Sequence, residues 1–231
     1  MAQLWQTLFY QPLFNLLVLV YGWVGDMGVA IIILTILLKL ILYPLSRQSL
    51  KSQLALQKLQ PQVNELKKRY QEDKPKLSRE MMALYQQEKI SPFSSCLPLL
   101  IQLPFLIALY QVFLSGLESG SLNLLYGFIN NPGHLNSSFL GVWLLNKPNW
   151  LLAIITGATQ FWQTKMLLPK GSGPAAAGDM AASMNKQMLY LMPILTVIFG
   201  LRLPAGLMLY WLVNTLLTIG QQYLTIKSHA N

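Results

Sequence analysis

The chain has 231 residues, 53% of them hydrophobic and only 11% charged, with a formal net charge of +9. A soluble domain of this length carries charge on about a quarter of its residues, so this composition excludes an ordinary water-soluble globule. The apolar runs are continuous rather than alternating, which selects an all-α polytopic membrane protein over a β-barrel.

The basic excess would suit nucleic acid if it lined a soluble face, but Lys and Arg gather between apolar runs, so no sequence-specific nucleic-acid binding is expected. One cysteine, Cys96, offers neither a disulfide framework nor a metal site. No Lys or Arg precedes Lys39, so the N-terminus lacks the basic region of a signal peptide and the Arg-rich character of a transit peptide.

Taken in order, residues 5–24 are apolar but interrupted by Pro12 and Asn15 and closed by Gly25-Asp26. They read either as a span or, preferred here, as an interfacial helix over 9–25 with Trp and Tyr at the headgroup level. Span one follows at 27–46, MGVAIIILTILLKLILYPLS, about twenty residues and long enough to cross at 1.5 Å per residue. A single charge breaks it. Lys39 has Thr35 one turn before and Tyr43 one turn after, on one helical face.

An intramembrane lysine costs about 2.5–3.5 kcal/mol on insertion scales. Either the stem snorkels to the nearer interface, or the ammonium sits in a wet polar cavity that attracts acidic guests.

Residues 47–90 form the one strongly polar region, with ten basic side chains (Arg47, Lys51, Lys58, Lys67, Lys68, Arg69, Lys74, Lys76, Arg79 and Lys89) against five acids. Leu56, Leu59, Val63, Leu66 and Tyr70 keep 3-4 spacing, Asp73-Lys74-Pro75 breaks the pattern, and Leu77, Met81 and Leu84 resume it. Two antiparallel helices, a mobile hairpin with a thin apolar seam, are expected there.

Span two is expected at 92–117, kinked at Pro98 and Pro104 and carrying Gln102. An external loop at 118–147 leads to span three at 148–164, where Thr156, Thr159, Gln160 and Gln163 recur at helical spacing. A loop at 165–186 precedes span four, 187–201, bent at Pro193. Span five, 204–226, lines Trp211, Asn214, Thr215, Thr218, Gln221 and Gln222 along one side, and 227–231 is a tail.

With five spans, all but three of the 17 Lys and Arg residues fall on one side, the exceptions being Lys39, Lys147 and Arg202. The positive-inside rule then predicts a cytoplasmic hairpin and C-terminus, with the N-terminus outside.

Enzyme chemistry finds no constellation. His134 and His229 lie in a loop and the tail, and the spans contain no acid for a proton relay or cation site. No catalytic residue, metal or cofactor is expected. Each polar stripe by itself fits hydrogen-bonded helix packing. Three stripes beside an unpaired cation predict a hydrated groove of Lys39, Thr35, Gln102, Gln160, Gln163, Trp211, Asn214, Thr215 and Thr218.

Four stretches carry a resemblance: LTILLKLILYPLS at 34–46, SREMMALYQQEKISP at 78–92, CLPLLIQLPFLIALY at 96–110 and LPAGLMLYWLVN at 203–214. In this order, around a basic hairpin, the chain resembles the YidC/Oxa family of membrane protein insertases. The resemblance implies five spans around a hydrophilic groove open to cytoplasm and lipid, with an amphipathic helix on the outer side. It implies residence in a bacterial inner membrane.

It implies nascent membrane proteins as substrates and the Sec translocon and ribosome as partners, and it gives the groove cation to Lys39. Tyr210 and Trp211 become candidate contacts for an emerging helix. The chain departs from the pattern in having Lys where Arg is usual, in lacking a large periplasmic domain and a lipoprotein-type signal, and in its short tail.

Two other classes fit parts of the sequence. One is a small anion transporter or channel using Lys39. The other is a membrane scaffold acting through the hairpin.

Overall fold

The computed structural model describes residues 2–89, 97–116, 119–167 and 187–230. Helix α1 runs Gln3–Val24 and is long and apolar enough to cross a bilayer. Pro12 lies inside it without ending it, because the preceding turn, Gln6–Tyr10, is a π-turn in which Gln11 donates to the carbonyl of Gln6. The wider turn accommodates a proline that would otherwise clash one turn back.

Gly25, at a φ of 69°, closes α1 in the left-handed conformation, and Asp26 caps helix α2, Met27–Ile41, by accepting from Val29 N at 2.9 Å.

Helix α3, Tyr43–Arg69, leaves α2 at a bend of 68° centred on Leu42, with Pro44 in its first turn. Helix α4, Lys74–Gln87, returns beside it, capped by Asp73 through Lys76 N. On α3, Leu59 and Val63 are buried, whereas α4 has no buried residue. So thin a seam leaves α4 dependent on α3 alone.

Helix α5, Leu97–Gln111, contains Pro104 and runs into a π-turn at Val112–Gly116. A 3-10 turn, Ser119–Leu124, and a two-strand antiparallel hairpin, β1 Ser138–Phe139 with β2 Trp143–Leu144, occupy the connector to α6, Trp150–Leu167. A π-turn at Gln187–Leu191 opens α7, Met192–Gly200, and α8 covers Ala205–Ala230.

The architecture is all-α, and the helices are apolar outside α3 and α4. Among the described residues, by length and mean hydropathy together, α1 alone suffices as a span, or two spans if the bent α2–α3 pair counts as one; Gln102–Leu114 and Gln187–Gly200 are apolar but shorter. The expected spans are interrupted by prolines and π-turns, and polar stripes lower their hydropathy. The start of the expected second span and most of the 165–186 loop lie outside the described residues.

Packing is dry at the loop end of the bundle. Phe14, Leu17, Met27, Ile31, Leu34, Leu109, Leu145, Leu152, Leu207 and Met208 are fully buried there. Small residues admit close approach: a side chain at Gly28 would strike Phe139, and one at Gly206 would strike the ring of Phe113. The connector seals this end by hydrogen bonds. Ala205 N donates to Lys147 O and Gly206 N to Leu145 O, both at 2.9 Å, satisfying donors that a helix start leaves free.

Asn15, read from sequence as an interruption, is buried and acts as a staple. Its amide donates to Gln11 O at 2.8 Å and Leu124 O at 3.0 Å, and its oxygen accepts from Tyr126 N at 2.7 Å. Asn15→Ala leaves the Tyr126 N–H without its partner, whereas Leu124 O keeps the Gln11 side-chain amide at 3.1 Å. It should destabilise the detergent-solubilised protein by about 1–3 kcal/mol, one orphaned group, seen as a lowered thermal midpoint.

Candidate functional site

The polar cavity lies at the other end of the bundle, where α2 ends. Its lining comes from α2 (Thr35, Leu38, Lys39), the Leu42 joint, α3 (Ser46, Ser49), α5 (Gln102) and α8 (Tyr210, Asn214). It offers about 50 Å³ to water, room for about three or four molecules at 10–15 Å³ each. Polar groups on four helices line it, so a water entering it would find partners.

Lys39 is half-buried and reaches across to α8. Its ammonium donates to Thr218 Oγ1 at 2.7 Å and to Asn214 Oδ1 at 3.3 Å. Thr218 in turn donates to Asn214 O at 2.7 Å, so one hydroxyl serves both bonds. Among the described residues no carboxylate reaches ion-pair distance of this cation. An ammonium has three donors, and two are used on neutral acceptors. The cation is solvated by the protein yet not neutralised.

Thr35 is buried and donates to Ile31 O at 2.6 Å, so it presents its oxygen to the cavity while its proton stays on its own helix. Gln102 donates through Nε2 to the buried Tyr210 hydroxyl, which joins α5 to α8 at the cavity's inner wall. Of the residues predicted from sequence, then, Lys39, Thr35, Gln102, Asn214 and Tyr210 line one cavity, and Thr218 touches it through Lys39.

The others are elsewhere. Gln160 accepts from Thr196 Oγ1, fastening α6 to α7, and Gln163 is half-buried one turn on, outside the lining. Thr215 is buried in α8 and Trp211 packs against the apolar core. Tyr43, grouped with Thr35 and Lys39 by helical spacing, is exposed beyond the bend, because the chain changes direction at Leu42 and the face continues through Ser46.

Ser46 and Ser49 were missed. Their signal is in the sequence: Thr35, Lys39, Leu42, Ser46 and Ser49 keep 4-3-4-3 spacing across the joint. It was hidden by treating residue 47 as the start of a separate polar region.

These features define an all-α polytopic membrane protein with a half-buried cation held on neutral acceptors beside a polar cavity. The chain belongs to the 60Kd inner membrane protein family, whose model matches residues 19–231, and it thereby joins the inner-membrane proteins of bacteria. It is 39% identical over 223 residues to a membrane protein insertase YidC of Cellvibrio japonicus, covering 96% of this chain and 36% of that one. With the YidC insertase of Ectopseudomonas mendocina it shares 38% over 221 residues, 95% of this chain and 34% of the relative.

Among solved structures it is similar to an active YidC insertase crystal structure with the first transmembrane domain resolved. The TM-score is 0.62 and the identity 29%, over 95% of this chain and 46% of that one. The chain thus spans about a third of the length of the curated relatives it matches.

If the α8 acceptors exist to solvate the ammonium, they lose their purpose when the charge is gone. Thr218→Val should lower the thermal midpoint in detergent, with a loss of about 1.5–3 kcal/mol, the worth of a hydrogen bond to a charge. In a Lys39→Met background the same substitution should cost little. A thermodynamic cycle over the two sites measures the coupling.

Proposed function

We propose that this protein is a membrane protein insertase that carries nascent apolar segments, with short acidic flanks, into and across the bilayer without covalent chemistry. The observation that carries the reading is the Lys39 ammonium: uncompensated by any described carboxylate, held on neutral acceptors, and facing a cavity with room for water. Membership of a family whose relatives bear the insertase name supports it.

The physics is differential solvation. A polar flank crossing hydrocarbon loses its water, and a wet cavity shortens the dry distance. The cation adds attraction for acidic side chains: about 1 kcal/mol at 4 Å in bulk water, about 4 at an effective dielectric of 20. The apolar helix of the guest then leaves sideways into lipid, driven by about 25 cal/mol per Å² of apolar surface removed from water.

In this reading α3 and α4 project into the cytoplasm as a docking hairpin, the C-terminus is cytoplasmic and the connector faces outward, following the distribution of basic residues. Five spans surround the groove, with Tyr210 and Trp211 beside the guest's exit. The ribosome and the Sec translocon are the partners this reading supplies on the cytoplasmic and lateral sides.

The test is insertion of a single-span protein with a short acidic outer tail into liposomes containing only this protein, read by protease protection of the tail. Lys39→Arg should retain activity. Lys39→Ala and Lys39→Glu should lose about tenfold or more, each 1.4 kcal/mol of lost attraction being a decade. Equal activity in all four proteins would reduce Lys39 to a snorkelling side chain. An anion channel would instead show lysine-dependent chloride flux, and a hairpin scaffold would be silent to every Lys39 change.

Hydration is separable from charge. Ser46→Leu fills the cavity from α3 while leaving Lys39 on its two acceptors. It should slow insertion of the acidic-tailed substrate about tenfold with an unchanged thermal midpoint, and affect an uncharged tail far less.

A further inference from the structure

The connector carries a surface that the groove reading does not use. β1 and β2 are joined by Leu140-Gly141-Val142, the first two with φ of 51° and 69°, and Val142 N donates to Phe139 O at 3.1 Å. Positive φ at both central residues is the type I′ turn, which favours Asn, Asp and Gly. Here the first position holds leucine, whose Cβ makes that conformation unfavourable.

The same leucine is 68% exposed, Val142 76% and Phe128, upstream in the connector, 77%. In water this tip would be wrong twice, for its backbone and for its side chains. Single exposed apolar residues are ordinary; a strained one at the apex of an apolar tip is not.

Three further observations identify what covers it. Residues 119–146 contain no Asp, Glu, Lys or Arg, although water-facing loops of their length usually do. The tip is tied to the α1–α2 turn, since Leu140 N donates to Asp26 Oδ2 at 2.7 Å. That turn follows Trp23, which is 78% exposed at the end of α1, and Trp150 is exposed at the start of α6. Tryptophans at helix ends mark the membrane–water interface.

The N–H groups of Leu140, Val142 and Leu145 are bonded within the protein, which lowers what the hairpin gives up on leaving water. We propose that the Leu140–Val142 tip is a lipid-binding wedge, inserted among the acyl chains of the leaflet at the loop end of the bundle. It is continuous with the apolar helix surface and level with Trp23. This surface is independent of the cation cavity, so its failure would leave the insertase reading untouched.

The experiment uses the full chain in bilayer vesicles. Cys96→Ser removes the single cysteine, and Val142→Cys or, in a second protein, Leu144→Cys receives an environment-sensitive fluorophore. Gln71→Cys, in the exposed α3–α4 turn, is the aqueous control. Doxyl-labelled phosphatidylcholine should quench the tip label several-fold more than the control, and aqueous iodide several-fold less.

Quenching equal to the control at both tip positions would overturn the proposal. A label shielded from both iodide and lipid would also overturn it, since a second copy or another protein would then cover the tip.

Discussion

The bond from the Lys39 ammonium to Thr218 and Asn214 joins the end of α2 to the middle of α8. A charge at that depth has few ways to exist: it is paired, it is hydrated, or it is dragged to an interface. With no described carboxylate beside it, solvation falls to neutral oxygens and to water. The bend at Leu42 serves the same end, turning α3 so that Ser46 and Ser49 line the lysine's cavity.

This constraint explains why the two ends of the bundle are built differently. At the loop end, glycines bring helices together, carbonyls of the connector cap α8, and Asn15 is satisfied on three sides. At the hairpin end, Lys39, Ser46 and Asn214 remain only half-buried around a cavity with room for water. In the proposed function, a sealed end and a polar recess at the other would give a polar segment a path without a continuous pore. The strained tip of the connector belongs to the sealed end and lines no part of the recess.

The sequence was legible wherever composition and period decide. Low charge and continuous apolar runs fixed the class. The single lysine in an apolar run announced itself, and Gln102, Asn214 and Thr218 were found as polar residues on otherwise apolar helices. Asn15 was misread because a polar residue in an apolar run looks like an interruption, whereas its partners lie more than 100 residues away in the connector. Gln160 was assigned to the groove because its stripe has the right period, but period does not say which neighbour a stripe faces, and it faces Thr196.

By itself, then, the sequence determined the fold class, the helical nature of the runs, the single cation within an apolar run and the clustering of the basic residues between such runs. Each of these depends on local composition or on spacing within one helix. Tertiary structure alone decided which polar residues meet, that Lys39 rests on α8, that α3 completes the cavity through Ser46 and Ser49, and that a leucine sits at the connector's apex. Those facts arise from long-range packing and from the direction the chain takes after Leu42 and Gly25, which helical periodicity does not encode.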